Sequence, residues 1–136
     1  MIILREKEKL IFMFLLGGFI YGLCEIGFRG YTHWSMILTG GSAAVALTII
    51  NGALKNYSVF LRALAGAGAI TALELTVGIV VNEIFGLGVW DYSALPFNLL
   101  GQISLPFSVC WYAVSLTVFI LMDILFSAQN KESRSV

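Results

Sequence analysis

One carboxylic acid, Glu74, lies deep inside an apolar run that extends from about residue 64 to residue 85. A carboxyl group in an apolar medium is costly unless it finds a proton, a cation or a hydrogen-bond partner. Glu74 is therefore a candidate for binding a solute, an ion or a proton. Two alternatives stay open. A protonated Glu74 could lock two segments together by a hydrogen bond, for example to a serine, or it could contact a partner protein.

Other polar residues stand at the edges of the apolar runs. Glu25 and Arg29 are four residues apart with the acid first, the favourable order for an ion pair on one helix. They form either a structural pair or part of a binding site. Asn82 lies eight residues after Glu74, and therefore on the same side of a helix. The full set of candidate binding or structural residues is Glu74, Asn82, Glu25, Arg29, Asp91, Trp90, Asn98 and Gln102.

The residue types that most enzymes and metal sites need are scarce. There is one histidine, and Cys24 and Cys110 form neither a CxxC nor a zinc pattern. No serine and histidine are arranged for nucleophilic catalysis. We therefore expect no enzyme activity, no catalytic residue, no metal and no cofactor. The formal net charge is zero, so no overall field attracts nucleic acid.

The composition indicates a membrane protein. Hydrophobic residues make up 59% of the 136 residues and charged residues 12%, whereas about a quarter of a soluble protein is charged. So few charges cannot cover a water-exposed surface. Four apolar runs, at about 10–28, 36–54, 64–85 and 99–126, can each cross a hydrocarbon core of about 30 Å. The sequence predicts an all-α membrane protein with four transmembrane helices in one compact bundle.

The whole chain, 1–136, forms a single domain in this prediction, and the polar tail 127–136 is expected to be disordered. The fourth run would be about 42 Å long as a helix. It must tilt, kink at Pro106, or begin outside the core. Asn98 is a candidate N-cap for this helix. Asp123 is expected to be solvated near its far end.

The positions of the basic residues predict the orientation, because cytoplasmic segments keep Lys and Arg. Four spans place seven of the eight basic residues on one side: Arg5, Lys7, Lys9, Lys55, Arg62, Lys131 and Arg134. Only Arg29 lies on the other side. Both termini, with the tail, are therefore expected in the cytoplasm and the loop around Trp90 outside. The expected location is a cell membrane, specifically a bacterial plasma membrane.

Two local patterns carry further expectations. Small residues at Gly18 and Gly22, and at 40–46 in the second run, should let helices 1 and 2 approach closely. Glu83 lies nine residues after Glu74, about 180° round an α-helix, and is expected to reach the interface. The 90–98 loop is expected to fold back onto the bundle, with Asp91 bound by Arg29 or by backbone N–H groups near Asn98.

A longer motif surrounds these residues. It consists of WDYS at 90–93, PFN at 96–98, GQI at 101–103, LPFS at 105–108, and Trp111. Glu74 and Gly86 come before it. Here the chain resembles the ABC-transporter type IV, or ABC-transporter permease-like, family of small integral membrane proteins. The resemblance implies transport. The chain has no Walker A motif, so any ATPase would be a separate protein.

The first functional reading is a permease-like transport component that binds a small solute or lipid headgroup from the outer side. Glu25, Arg29, Asp91 and Asn98 would form the mouth and Glu74 the deeper part. The alternative is a non-transporting scaffold, sensor or accessory subunit whose intramembrane polar residues are structural. The expected partners are membrane lipid, a second copy or other membrane subunits, and a separate ATPase. Nucleic acid is not among them.

Overall fold

The structure, a computed structural model, describes residues 5–135. Its helices are α1 (Glu6–Arg29), α2 (Trp34–Ala53), α3 (Val59–Gly78) and α4 (Leu105–Ser135). A π-helical turn, Ile79–Ile84, extends α3, and two short strands, β1 (Asn98–Leu99) and β2 (Ile103–Ser104), pair antiparallel. Within these residues four helices are long and apolar enough to cross a membrane: Glu6–Arg29, Trp34–Ala53, Val59–Ile84 and Leu105–Leu125. The four-helix prediction is confirmed at this level.

Successive helices run antiparallel, which gives the molecule two distinct ends. The end that holds residues 30–33 and 85–104 is called the long-loop end here. The opposite end, called the termini end, holds the α2–α3 connection and the first and last described residues. α2 lies between α1 and α3, and α4 packs mainly against α3.

Glycines bring α1 and α2 into close contact, as their small residues predicted. A Cβ on Gly18 of α1 would lie 2.9 Å from the carbonyl oxygen of Ile37. A Cβ on Gly41 of α2 would lie 2.8 Å from the carbonyl oxygen of Phe14. Backbone therefore meets backbone on this side, which is the usual way that helices associate in membranes. Large apolar side chains on the opposite side of α1 are exposed, among them Phe12, Leu15, Phe19 and Leu23.

Two apolar clusters lie between the helices. The first, toward the termini end, joins α2, α3 and α4 through Leu47, Ala63, Ile70, Phe119 and Met122. The second, at the long-loop end, consists of Met36, Val81, Val89 and Trp90. The second cluster includes residues from the 85–104 segment, so this segment packs onto the helices.

The fourth helix begins at Leu105 and not at residue 99, because residues 98–104 form the β1–β2 ribbon. Phe97 and Leu100 have φ angles of 53° and 56°, a left-handed conformation that cannot continue a right-handed helix. The Ser104 hydroxyl accepts a hydrogen bond from the Phe107 N–H at 3.4 Å. Ser104 therefore caps α4, and the prediction for Asn98 was wrong. Pro106 lies in the first turn, where a missing N–H is tolerated.

The tail is also helical, which corrects the expectation of disorder. α4 continues without interruption to Ser135, and Val136 lies outside the described residues. Residues 127–135 contain no glycine or proline and several good helix formers. A helix that already exists therefore extends at little cost, since the nucleation step has been completed upstream.

The third helix differs from its prediction at both ends. It begins at Val59, where the Ser58 hydroxyl caps it by accepting the Leu61 N–H at 3.2 Å. Arg62, expected in a loop, therefore belongs to the first turn of α3. Beyond Gly78 the π-helical turn has more residues per turn than an α-helix. Counting 100° per residue therefore assigns residues to the wrong side of the helix there. Phe85 comes eleven residues after Glu74, which would place it on the same side of an ideal α-helix, but it is 65% exposed.

Candidate functional site

Gln102 joins the 85–104 segment to the π-helical turn. Its side chain is buried, and its Oε1 accepts a hydrogen bond from Asn82 Nδ2 at 2.8 Å. Its Nε2 donates to Glu83 Oε1 at 3.0 Å and to the Leu100 carbonyl at 2.9 Å. Glu83 is exposed at the end of the helix, so its interfacial role stays a prediction, and its carboxylate also accepts the bond from Gln102. These residues, with Trp90, are called the Gln102 network below.

Trp90 closes this network. Its indole Nε1 donates to the Gln102 carbonyl at 3.0 Å, and its ring is buried against Gly78. A Cβ on Gly78 would lie 2.6 Å from Gln102 Oε1 and 3.0 Å from the Trp90 ring, so a larger residue would displace both. Asn82 Oδ1 in turn accepts the Val89 N–H at 2.6 Å. The 85–104 segment is therefore held on the bundle, as expected from its sequence.

Asp91 and Asn98 act within the turn that follows Trp90. Asp91 is exposed, and its Oδ1 accepts the Ser93 N–H at 2.9 Å, which holds the pKa of Asp91 below its usual value. Asn98 Nδ2 donates to the Leu95 carbonyl at 2.9 Å, and its Oδ1 accepts the Gly101 N–H at 3.2 Å. The partner of Asp91 is therefore a backbone N–H. Of the two expected partners, Arg29 is the wrong one.

Glu74 is buried, with 4% of its surface exposed, and accepts a hydrogen bond from the Tyr92 hydroxyl at 3.2 Å. Burial raises the pKa of Tyr92 well above its usual value, and the negative charge of Glu74 raises it further. On the α4 side, the indole of Trp111 interacts with the same carboxyl group. The serine expected as a partner lies elsewhere, since Ser108 pairs with Thr71 at 3.0 Å.

Glu25 and Arg29 form an ion pair on α1, with Glu25 Oε2 and Arg29 Nε 2.7 Å apart. Arg29 Nη1 donates to the Val89 carbonyl at 2.8 Å, which ties α1 to the 85–104 segment. The guanidinium also lies over the ring of Tyr31, 4.8 Å from its centre. These contacts fix the pair within the fold, while Nη2 of Arg29 is buried with no hydrogen bond.

Four aromatic rings connect these acids. Tyr21, one turn before Glu25, lies within electrostatic range of both Glu25 and Glu74. The rings of Tyr21 and Trp111 are 6.2 Å apart between centres, and those of Phe107 and Trp111 are 6.5 Å apart. Tyr92 stacks on Phe107 at 4.5 Å. The acid–aromatic cluster is defined by Glu25, Arg29 and Glu74 with Tyr21, Tyr92, Phe107 and Trp111.

One donor in this cluster is left without a partner. Of the seven buried side-chain atoms of the described residues that make no hydrogen bond, four belong here. Glu25 Oε2 and Arg29 Nε are the two atoms of the ion pair, and the Trp111 indole interacts with Glu74, so Arg29 Nη2 is the unpaired one. A buried polar group without a partner typically costs about 1–3 kcal/mol. Such groups need an explanation, and a bound ligand is one. The cluster is therefore the candidate site.

The eight predicted residues divide among three places. Glu25, Arg29 and Glu74 meet in the acid–aromatic cluster; Asn82, Trp90 and Gln102 meet in the Gln102 network; Asp91 and Asn98 hold the turn between β1 and Trp90. Sequence reasoning did not include Tyr21, Phe107 or Trp111 among the candidate site residues. The available signal was helical spacing, since Tyr21 precedes Glu25 by one turn and Phe107 precedes Trp111 by one turn.

Comparison with protein families places this arrangement in context. A family model described as "Putative ABC-transporter type IV" matches residues 12–135, which include the acid–aromatic cluster and the Gln102 network. The chain belongs to this family. The resemblance seen in the sequence is confirmed, and this type IV protein is an ABC-transporter-related membrane protein. No curated protein and no solved structure matches the chain.

At the termini end, the type IV protein holds a second buried polar contact. Arg62 Nη1 and Nη2 donate to the two carboxylate oxygens of Asp123 at 3.0 and 2.9 Å. Arg62 Nη1 also donates to Asn51 Oδ1 at 2.6 Å. Asp123, expected to be solvated, is thus the ion-pair partner of a buried arginine. These three bonds join α2, α3 and α4, while Arg62 Nε is buried with no hydrogen bond.

Within residues 5–135 no group of three or more His, Cys, Asp or Glu side chains is placed to hold a metal ion. Cys24 and Cys110 are both exposed and free. The chemistry available to the acid–aromatic cluster is therefore charge, hydrogen bonding and aromatic contact from its own side chains.

Proposed function

We propose that this type IV protein is a permease-like transport component that binds a small solute or lipid headgroup at the acid–aromatic cluster. The supporting observation is the buried carboxyl group of Glu74, which has only neutral partners, together with the buried Arg29 Nη2, which has no hydrogen bond. The solute would enter from the long-loop end. Asp91 and Asn98 shape the turn there and are no longer part of the proposed site. The proposal contains no catalytic step.

The proposal places the protein in a bacterial plasma membrane with both termini in the cytoplasm. Four helices are few for a transport pathway, so we expect a homodimer or assembly with other membrane subunits. A separate ATPase would supply energy, since the sequence carries no Walker A motif. The family name supports association with other transporter components.

The orientation can be tested by labelling introduced cysteines on intact cells. Ser93→Cys, at the long-loop end, should react with a membrane-impermeant thiol reagent, and Ser133→Cys should be protected until the cells are opened. Both variants need Cys24 and Cys110 replaced first, because both native thiols are exposed. Protection of position 93 together with labelling of position 133 would reverse the proposed orientation.

The transport role predicts a specific effect of Glu74→Gln, which keeps the shape and hydrogen bonding of the side chain but cannot ionise. A deletion strain of the host would receive the wild-type chain or the variant, and solutes removed from the medium would be measured by mass spectrometry. We expect wild type to restore uptake of at least one solute and Glu74→Gln to restore none of it.

The matched control is Glu83→Gln, which removes a negative charge at the same end and outside the acid–aromatic cluster. It keeps the side-chain oxygen that accepts the bond from Gln102, so the cluster wall stays in place and uptake should be restored. If the deletion strain removes the same solutes as the parent strain, the transport role is wrong. If Glu74→Gln restores full uptake, ionisation of Glu74 has no part in it.

A non-transporting scaffold or accessory subunit is the second candidate, and a separate observation favours it. The Gln102 network and the contact of Arg62 with Asp123 are internally paired, and their bonds hold helices and loop together. Polar residues in this protein therefore do serve as structural locks. The same variants separate the two functions, since a scaffold predicts no change in solute uptake on deletion.

A further inference from the structure

The acid–aromatic cluster contains more acid than base. Arg29 pairs with Glu25 at 2.7 Å, so its charge is already matched. The partners that the structure gives Glu74 are neutral: the Tyr92 hydroxyl at 3.2 Å and the indole of Trp111. A buried carboxylate without a counter-charge is unstable at membrane depth, so either a proton or a cation must accompany Glu74.

The surroundings of Glu74 indicate which cation would fit. Sodium and other hard cations need several oxygen ligands. Here the Tyr92 hydroxyl and the Trp111 indole reach the Glu74 carboxyl group, and the rings of Phe107 and Tyr21 lie beside these two residues. Aromatic ring faces attract ammonium groups, with Trp the strongest, and the attraction grows when water is excluded. Rings around one acid therefore suit a cation that carries apolar substituents.

An anionic ligand suits the cluster poorly. Both Glu25 and Glu74 would repel it, and both act electrostatically on Tyr21 and Tyr92 as well. The one guanidinium in the cluster faces Glu25, the Val89 carbonyl and the Tyr31 ring. A neutral ligand would leave the charge of Glu74 unmatched.

We propose that the acid–aromatic cluster binds an organic ammonium ion, with the cationic nitrogen at Glu74 and its apolar substituents on the rings of Tyr21, Phe107 and Trp111. This names the solute class of the proposed transport function and rests on it for its biological meaning. The binding itself does not depend on transport, so the two can be tested separately.

A proton and the ammonium ion compete for Glu74 in this scheme. The groups that face the site are Tyr21, Glu25 and Arg29 from α1 and Tyr92 from the 85–104 segment. Glu25 keeps its charge partner Arg29, and neither tyrosine needs to ionise. Binding therefore displaces a proton from Glu74, and apparent affinity falls as the medium is made more acidic.

The test uses the full-length purified protein in nanodiscs and isothermal titration calorimetry with benzyltrimethylammonium chloride. Benzoate and benzyl alcohol serve as the anionic and neutral probes of similar size, at matched ionic strength. We expect saturable binding of the ammonium probe alone. Glu74→Gln should weaken it about tenfold or more, the scale of one lost contact with a charged group.

Matched variants separate binding from folding. Glu83→Gln removes a charge outside the cluster but keeps the oxygen that accepts the bond from Gln102, so it should bind as wild type does. Trp111→Phe keeps a ring and should weaken binding less than Trp111→Leu. Circular dichroism of each variant verifies that it is folded, so loss of binding in a folded Glu74→Gln variant can be assigned to the site.

Two results would overturn the inference: no saturable binding of the ammonium probe to folded wild type, or equal binding to Glu74→Gln. Either result leaves the transport proposal standing if solute uptake still depends on Glu74. Conversely, Glu74-dependent binding without any solute uptake supports the inference and contradicts transport. Equal binding of benzoate or benzyl alcohol would also contradict the assigned ligand class.

Discussion

Replacing Asp123 by alanine is expected to lower the free energy of unfolding by about 3 kcal/mol. The guanidinium of Arg62 is only 8% exposed and donates to both Asp123 oxygens, at 3.0 and 2.9 Å. Without Asp123, only the neutral Asn51 remains as a partner for a buried charge. Breaking a fully buried pair costs about 3–5 kcal/mol, and the lower end applies because the Asp123 side chain is 45% exposed.

The measurement is the midpoint of denaturant-induced unfolding in micelles, followed by circular dichroism. Removing both charges, as Arg62→Met with Asp123→Leu, should recover most of the loss, because no unpaired charge remains. The unfolding midpoint of Asp123→Asn should lie between those of wild type and Asp123→Ala, since asparagine can accept a hydrogen bond from Arg62 but carries no charge. If Asp123→Ala unfolds at the same midpoint as wild type, Arg62 must reach water.

The sequence was a good guide to where helices lie, because four long apolar runs have few other solutions in a membrane. It was a poor guide to the start of α4. Leu99, Leu100 and Ile103 continue the apolar run of α4, and hydropathy does not distinguish an apolar ribbon from the first turns of a helix. Phe97, Leu100 and Gly101 have left-handed backbone conformations at this ribbon, and of these only Gly101 is a residue type that indicates such a conformation.

The candidate site was predictable in part. The position of Glu74 alone indicates a special role, because an intramembrane acid is costly. Its partner Tyr92 was not predictable, since it lies 18 residues away and reaches Glu74 only after the 85–104 segment folds back. The π-helical turn has no signature in a 3.6-residue period, which is why the bond between Glu83 and Gln102 was not predicted.

The Gln102 network and the acid–aromatic cluster depend on each other through the backbone of one segment. Trp90 is fixed by Gln102, and Tyr92 follows two residues later with its hydroxyl on Glu74. The Tyr92 N–H also donates to the Gly101 carbonyl at 2.7 Å, next to Gln102. The network therefore positions one wall of the cluster, and a structural lock and a binding site can coexist in this protein.

The other wall is carried by α1, and its position depends on the glycines that face α2. Gly18→Leu is expected to lower the free energy of unfolding by about 3 kcal/mol, the upper part of the usual range for overpacking. Its Cβ alone would lie 2.9 Å from the Ile37 carbonyl oxygen and 3.1 Å from Ile37 Cγ2. A backbone carbonyl cannot turn aside as a flexible side chain can, so α1 must move away from α2.

Gly27→Leu is the matched control on the same helix, because no atom lies within 4 Å of the added Cβ. It should unfold close to the wild-type midpoint, and it even gains helix propensity. Displacement of α1 would carry Tyr21, Glu25 and Arg29 with it, so Gly18→Leu should also lose binding of benzyltrimethylammonium while Gly27→Leu retains it. If the two leucine variants unfold and bind alike, the close contact between α1 and α2 does not position the acid–aromatic cluster.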